Sequence, residues 1–561
     1  MILLDTLVIN GTFVNSYNQI ISSTYFKKLL KEYIESLENK NSPLLSTLKN
    51  FKKKTYKYDE LTNFFYSLTF KPVEETNGIS KVDLYNFIEG LYDFWREKHR
   101  FIVKRERFPK DANERNGILK STIYLGEEFE NTVRNLYRDL EFNISQKTQK
   151  VFRQLPSGAQ VIFLIDKVRI PVKKRMNHEW MYSAPFIWNT VIEPPVIFHT
   201  KSNKRTGVFP VIKSKFIDDL QIEPIRWYVM PINVGKLLIY VYFNVKYFAH
   251  AAGLANLFNL ADLNEPKHPD GIVIFGLPLN EVGKEYRDGV IFQDEVYTGV
   301  IPDIDENDYF GYAKKMILTV HNLIMIDRGK LPIHGSLATI HLKNGKQANA
   351  MFVGDSGAGK SETLDALGRL NDVESVNILI DDMGSLDVEK GRVVAYGTEI
   401  GAFVRLDDLP PGYAYSTLDR SIFMNPDQSN ARVIVPFDNY EDIIKPTPID
   451  FFFYANNYTP VNSDDERIVI FKDTKSALDV FSKGARMAKG TTSEKGLSHS
   501  YFANPFGAVQ RKALHEKIAE TFVQEMFRTN VKVGEIRTML GVEGYEKEGT
   551  YLAAKALLKL I

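Results

Sequence analysis

The stretch ANAMFVGDSGAGKSETLDAL, residues 348–367, decides the reading of this chain. It opens on an apolar run, Ala348–Val353, whose length and flanks predict a buried strand. It then turns through a glycine-rich loop and continues into a segment, Ser361–Leu370, that predicts a helix. The loop Gly354–Ser361 matches G-x-x-x-x-G-K-[ST] in full. Glycines allow such a backbone to wrap a phosphate with successive N–H groups pointing inward. The candidate phosphate-binding residues are Gly354, Ser356, Gly357, Ala358, Gly359, Lys360 and Ser361. In this chemistry Lys360 reaches the β- and γ-phosphates, the Ser361 hydroxyl ligates Mg2+, and the following helix presents its positive end.

A second element lies downstream. Val376–Ile380 reads as another buried strand and ends in two carboxylates, Asp381 and Asp382. Metal-bound phosphates need a carboxylate to hold the cation, so a P-loop followed by such a pair predicts a nucleotide and metal site.

Outward from this core, residues 331–561 read as the nucleotide-binding unit. Arg432–Val435 and Phe451–Tyr454 are further strand candidates, and the tail 511–561 reads as largely helical. Residues 151–330 read as a mixed α/β region, with strands at Val161–Ile165, Trp227–Met230, Leu237–Phe243 and Gly271–Phe275. Residues 1–150 carry helical periodicity, as in Thr24–Leu37 and Val82–Glu97. They read as a helical accessory domain and a candidate docking region for a protein partner.

The bulk numbers narrow the partners. The chain has 561 residues, a net charge of +1 and no cysteine. Disulfides, zinc–thiolate sites and iron–sulfur clusters are therefore excluded. Near-neutral charge gives no reason to expect nucleic acid or a membrane surface as partner. The start MILLDTLVIN lacks a basic leader, and apolar runs such as Leu237–Phe243 are too short to span a bilayer. The expectation is a cytoplasmic enzyme.

An ordered set of further motifs resembles the ATP-type phosphoenolpyruvate carboxykinase superfamily. Gly311-Tyr-Ala-Lys-Lys315 resembles its G-E-M-K-K, and Leu331-Pro-Ile-His334 resembles its L-P-M-H. Asp381-Asp382 stands at the place of G-D-D-E, and Asn430-Ala-Arg-Val-Ile-Val-Pro436 resembles N-T-R-V-x-Y-P. KGARMAKGTTSEKG, Lys483–Gly496, resembles the mobile lid, and Phe502–Phe506 the segment after it. The resemblance implies a two-lobed α/β P-loop catalytic unit with a helical N-terminal addition. It implies ATP, Mg2+ and Mn2+ as cofactors and oxaloacetate and phosphoenolpyruvate as small-molecule substrates.

The same resemblance implies residue roles. Lys315, His334 and Asp382 would ligate the metal between substrate and nucleotide, and Ser361 the Mg2+ on the phosphates. A lysine ligand must be neutral, so Lys315 needs a depressed pKa. Lys314 would stay cationic and face the transferred phosphoryl group. Arg432 would bind that group or the substrate, and Tyr309 would stand beside the substrate. The basic residues Lys483, Arg486, Lys489 and Lys495 would close over the phosphates.

The chain also departs from that pattern. GDSGAGKSET, with His334-Gly335 upstream, is closer to HPr kinase/phosphorylase, which phosphorylates a protein serine. On that reading Asp381 would be a base toward a hydroxyl. The carboxykinase motif G-R-S-P-K-D-K, whose arginine holds the substrate carboxylate, is missing, and Asn203-Lys-Arg-Thr-Gly207 is a poor substitute. An oxaloacetate site would then need an arginine from 151–310, with Arg169, Arg175 and Arg205 as candidates. Three functions stay open: the carboxykinase reaction, a kinase of a protein serine or another small molecule, and a non-catalytic nucleotide sensor.

Overall fold

The computed structural model describes residues 6–561 apart from 13–14, 53–54, 74–78, 148–152, 168–182, 206–207, 217–219, 221–225, 264–267, 410–416, 438–439, 490–494 and 547. Arg169, Arg175 and the centre of the lid stretch lie outside the described residues.

The chain is a mixed α/β protein built on two large mixed sheets. The P-loop sheet runs in the order Thr447–Pro448, Arg392–Gly397, Met383–Glu389, Leu331–Leu342, Gln347–Val353, Phe451–Asn456, Lys532–Arg537, Ile468–Ile470. Gln347–Val353 pairs antiparallel with Leu331–Leu342 and parallel with Phe451–Asn456. Its apolar run is continuous because both of its faces are covered. Met351 and Val353 enter one core, and Ala348, Ala350 and Phe352 enter another.

The other large sheet contains the strands expected between 151 and 330, at Val161–Asp166, Trp227–Val234, Leu237–Asn244 and Gly271–Leu277. It also contains Thr6–Asn10 and His99–Arg105, paired parallel to each other and on to Val161–Asp166. The boundary expected near 150 therefore does not divide this sheet. Helices Thr24–Asn39, Lys81–Glu97 and Ala112–Ser145 bury apolar stripes against Ile9, Ile102 and Ile162. Phe101, Val103 and Phe163 point the other way, into the central core. Alternation along a strand covered on both faces produces this split. Arg100 fastens the junction. Its buried guanidinium donates to the carbonyls of Trp95 (3.1 Å), Arg96 (2.6 Å), Lys98 (2.8 Å) and Gly158 (2.8 Å), closing the end of helix Lys81–Glu97.

Helix Phe310–Asp327 is buried along nearly its whole length and packs against strands of both large sheets. A small sheet, Gly401–Arg405, Arg432–Pro436, Ile422–Met424 and Val196–Phe198, joins the two regions. The tail is helical at Lys512–Arg528 and Glu548–Leu558 but supplies a central strand, Lys532–Arg537. Gly534 and Glu535 interrupt the apolar pattern there, which hides the strand in the sequence. Among the described residues, no helix is long and apolar enough to cross a membrane.

Candidate functional site

The phosphate loop joins strand Gln347–Val353 to helix Lys360–Gly368. Gly357 and Gly359 adopt φ of +79° and +93°, which L side chains rarely take. The loop is braced from behind. Thr538 donates to the Ala358 carbonyl at 2.7 Å, and Asn457 to the Gly357 carbonyl at 2.9 Å. Lys360 Nζ folds back onto the carbonyls of Gly354 (2.7 Å) and Asp355 (3.2 Å).

Strand Val373–Ile380 delivers the two aspartates to different neighbours. Asp381 lies within electrostatic reach of Lys360 and Ser361 of the loop, and its backbone carbonyl accepts from the Ser336 hydroxyl at 2.7 Å. Burial, and then Asp382, push the Asp381 carboxyl up, against the pull of Lys314 and Lys360. Asp382 has other partners. Its Oδ1 lies 2.8 Å from His334 Nε2 and its Oδ2 lies 2.6 Å from Lys314 Nζ. Burial alone would raise its carboxyl, but Lys314 and His334 hold it well below the usual range.

Lys314 bridges the half-buried Asp382 and the buried Glu399, which lies 2.8 Å away. Burial pulls its ammonium down, but the two carboxylates outweigh burial and hold it above its ordinary value. Burial pushes Glu399 up to about 7, with Lys314 acting against it. Lys315 is treated in the opposite sense. Burial, then the nearby Arg205 guanidinium, lower it to about 8. Its ammonium lies 5.3 Å from the centre of the Phe209 ring. Lys314 and His334 both contact Asp382, and Lys315 follows Lys314 on the same helix.

The Ala503 carbonyl can only accept, so the close contact from His334 Nδ1 puts a hydrogen on that nitrogen. Nε2 of a neutral ring would then face Asp382 Oδ1 as one acceptor against another, unless a proton or a metal cation lies between them. A histidine whose second nitrogen is fixed by a carbonyl is the usual arrangement of a metal ligand. His334 and Asp382 fit a divalent ion. Among the described residues no group of three or more His, Asp or Glu side chains is placed to hold a metal, so further ligands would be an amine or hydroxyl.

Around Lys314 and His334, side chains from distant stretches converge. The ring of Phe403 lies 5.3 Å from the Arg432 guanidinium and 5.9 Å from Lys314 Nζ. Tyr309 packs on the same ring at 6.2 Å and closes over Gly311, where a Cβ would come within 2.3 Å of the Tyr309 ring. The exposed Arg205 directs its guanidinium at the Gly311 carbonyl (3.5 Å) and over the Phe506 ring (5.5 Å). Phe506 in turn packs edge-on against His334 at 5.5 Å. The 200–205 segment is pinned in place. Lys201 N donates to Asp308 Oδ2 at 2.9 Å, His250 holds Asp308 Oδ1 at 2.8 Å, and Asn430 donates to the Asn203 carbonyl at 2.6 Å.

Glu399, Phe403 and Asp355 were not among the sequence candidates. Glu399 follows strand Arg392–Gly397 and has no motif around it, so only the hairpin with Met383–Glu389 reveals it. No protein-family model matches the chain, and no curated protein matches it in sequence.

Proposed function

We propose that the chain binds a nucleoside triphosphate with divalent metal on Gly354–Ser361 and transfers its γ-phosphoryl group. The leading reading is a carboxykinase-type reaction on a two-lobed unit, converting oxaloacetate to phosphoenolpyruvate and carbon dioxide. One observation carries it: Arg205, from the region where the missing carboxylate-binding arginine was sought, stands beside Lys315 and over Phe506, which packs on His334. A guanidinium binds a carboxylate by a two-pronged fork.

In this reading Arg205 holds the substrate carboxylate, while Lys314 and Arg432 face the negative charge that spreads over the phosphoryl group. His334 and Asp382 would hold the metal, with Lys315 and Ser361 as further candidates. When bound, the metal would neutralise developing charge on the enolate and phosphates. Loss of carbon dioxide leaves an enolate oxygen, which attacks the γ-phosphorus as the bond to the nucleoside diphosphate breaks. Asp381 would act on the nucleotide side, near Lys360 and Ser361.

A kinase of a hydroxyl acceptor is the second reading. It is favoured by the GDSGAGKSET loop and by Asp381, whose carboxyl burial and Asp382 push up, as befits a base toward a hydroxyl. Incubation with ATP, Mn2+ and oxaloacetate separates the two. Formation of phosphoenolpyruvate with release of carbon dioxide is the expected result. Binding of ATP without any product from oxaloacetate would remove the carboxykinase reading and leave the hydroxyl kinase and the nucleotide sensor.

A further inference from the structure

Asp355 occupies the second position of the phosphate loop. Its carboxylate is not turned to solvent. Oδ1 accepts the N–H of Ser356 at 2.7 Å, and Oδ2 accepts Nε of Arg486 at 3.0 Å. Both side chains are largely buried, at 15% and 11% exposure, so the contact is shielded from water. The same guanidinium reaches the Ser356 carbonyl at 3.2 Å. Arg486 belongs to the hairpin of Ala485–Lys489 and Lys495–His499, in the lid stretch. Asn457 ties this hairpin to the loop independently. It receives Met487 N at 2.8 Å and donates to the carbonyls of Met487 and Gly357, each at 2.9 Å.

The pattern is that of an anion site filled from within. A loop amide and a forked guanidinium are the groups a phosphate would recruit, and both are taken by a carboxylate of the chain itself. A carboxylate in that loop also repels a phosphate unless a cation offsets it. We propose that Asp355 is an internal competitor for the nucleotide phosphates, and that Arg486 is a phosphate-binding residue which exchanges Asp355 for the polyphosphate. The inference rests on the P-loop nucleotide reading and adds to it a residue and a control element. A tripolyphosphate carries more charge than a diphosphate and displaces Asp355 more effectively. The exchange therefore favours nucleoside triphosphates and couples their arrival to rearrangement of the hairpin.

The test is equilibrium binding of a fluorescent ATP analogue and its ADP counterpart, with Mg2+, to the full chain. The variants are Asp355→Asn, Arg486→Gln, Arg486→Lys, Asp355→Asn with Arg486→Gln, and Lys360→Ala. Asp355→Asn should tighten triphosphate binding about tenfold, and Arg486→Gln should weaken it about tenfold. The Arg486→Gln effect should grow when Asp355 is already Asn, because the guanidinium then no longer has to exchange the Asp355 carboxylate for the phosphates. Arg486→Lys keeps the charge but loses the fork, and it should weaken triphosphate more than diphosphate. It stands in if Asp355→Asn fails to fold by circular dichroism. If both single variants weaken binding equally and the double variant is no worse, the ion pair is a structural tie and the inference fails. Wild-type binding lost in Lys360→Ala, with Asp355→Asn unchanged or weaker, overturns the inference alone. Absence of nucleotide binding in wild type overturns it together with the P-loop reading.

Discussion

The two sides of the candidate site are made in different ways. The phosphate-loop side comes from one continuous strand, loop and helix, residues 347–368, and the groups such a loop offers are largely backbone N–H groups. The other side is assembled from Arg205, Tyr309, Lys315, Phe403 and Arg432, which belong to separate stretches of chain. A backbone site is specified by local conformation, so a short motif encodes it. A side-chain site is specified by tertiary packing, so each residue means little until its neighbours are known. Lys314 and Lys315 make the contrast sharp. Adjacent on one helix, they diverge, the first held charged between two carboxylates and the second lowered by burial and Arg205.

The comparison breaks most easily at Lys360. Lys360→Ala should cost about a hundredfold in triphosphate affinity, since a charged donor to phosphate is lost. Its thermal unfolding should stay close to wild type. Calorimetric titration with ATP and Mg2+ checks both sides of this statement, and unchanged affinity would remove the phosphate-loop assignment.

A smaller effect probes the other side. Arg205→Ala should raise the KM for a carboxylate acceptor about tenfold and leave the nucleotide Kd within roughly twofold, because its contacts are with Gly311 and Phe506 and not with the loop. Steady-state kinetics beside direct nucleotide binding gives the split. Equal losses in both would show that the two sides are not separable. Phe403→Leu tests the shared platform. It removes the ring under Arg432 and Lys314 but retains apolar volume, so kcat should fall severalfold with little change in nucleotide Kd, roughly the worth of a cation–π contact.

These differences also explain what the sequence revealed. The strands flanking the loop and the Asp381–Asp382 pair were legible, because a buried strand writes itself as an apolar run and a phosphate loop as glycines. His334 was legible through its place before that strand. Thr6–Asn10 and His99–Arg105 were not, since their partners lie across long helical insertions and nothing local distinguishes edge extension from a separate domain. Arg205 stood only as one of three candidates, since its loop is placed by Asp308 and Asn430, more than a hundred residues away. Glu399 carries no local signal, because its meaning arises from the hairpin that sets it against Lys314.

The remaining effect, on stability and not on binding, concerns Lys315 and its contrast with Lys314. The Lys315 amine is lowered from its usual 10.5 to about 8 in the folded protein by burial and by Arg205. Below the folded value both folded and unfolded chains carry the proton, and the cost of burying charge is fully present. Between the folded and unfolded values the unfolded chain binds more protons, so stability contributed through this group must rise with pH. Lys315→Met has no such proton. The stability of wild type relative to Lys315→Met should therefore increase by about 2 kcal/mol from roughly pH 8 to 10, measured by urea denaturation with EDTA present. A flat or falling difference would place Lys315 in an ordinary solvated setting and deny it the neutral form that metal ligation requires. Repeating the measurement with Mn2+ then distinguishes a ligand from a bystander. If Lys315 coordinates the ion, wild type gains stability that Lys315→Met lacks, because a metal that binds the folded state alone shifts the unfolding equilibrium by mass action. Equal gains in both proteins would leave His334 and Asp382 as the metal's anchors and assign Lys315 to the substrate side of the site.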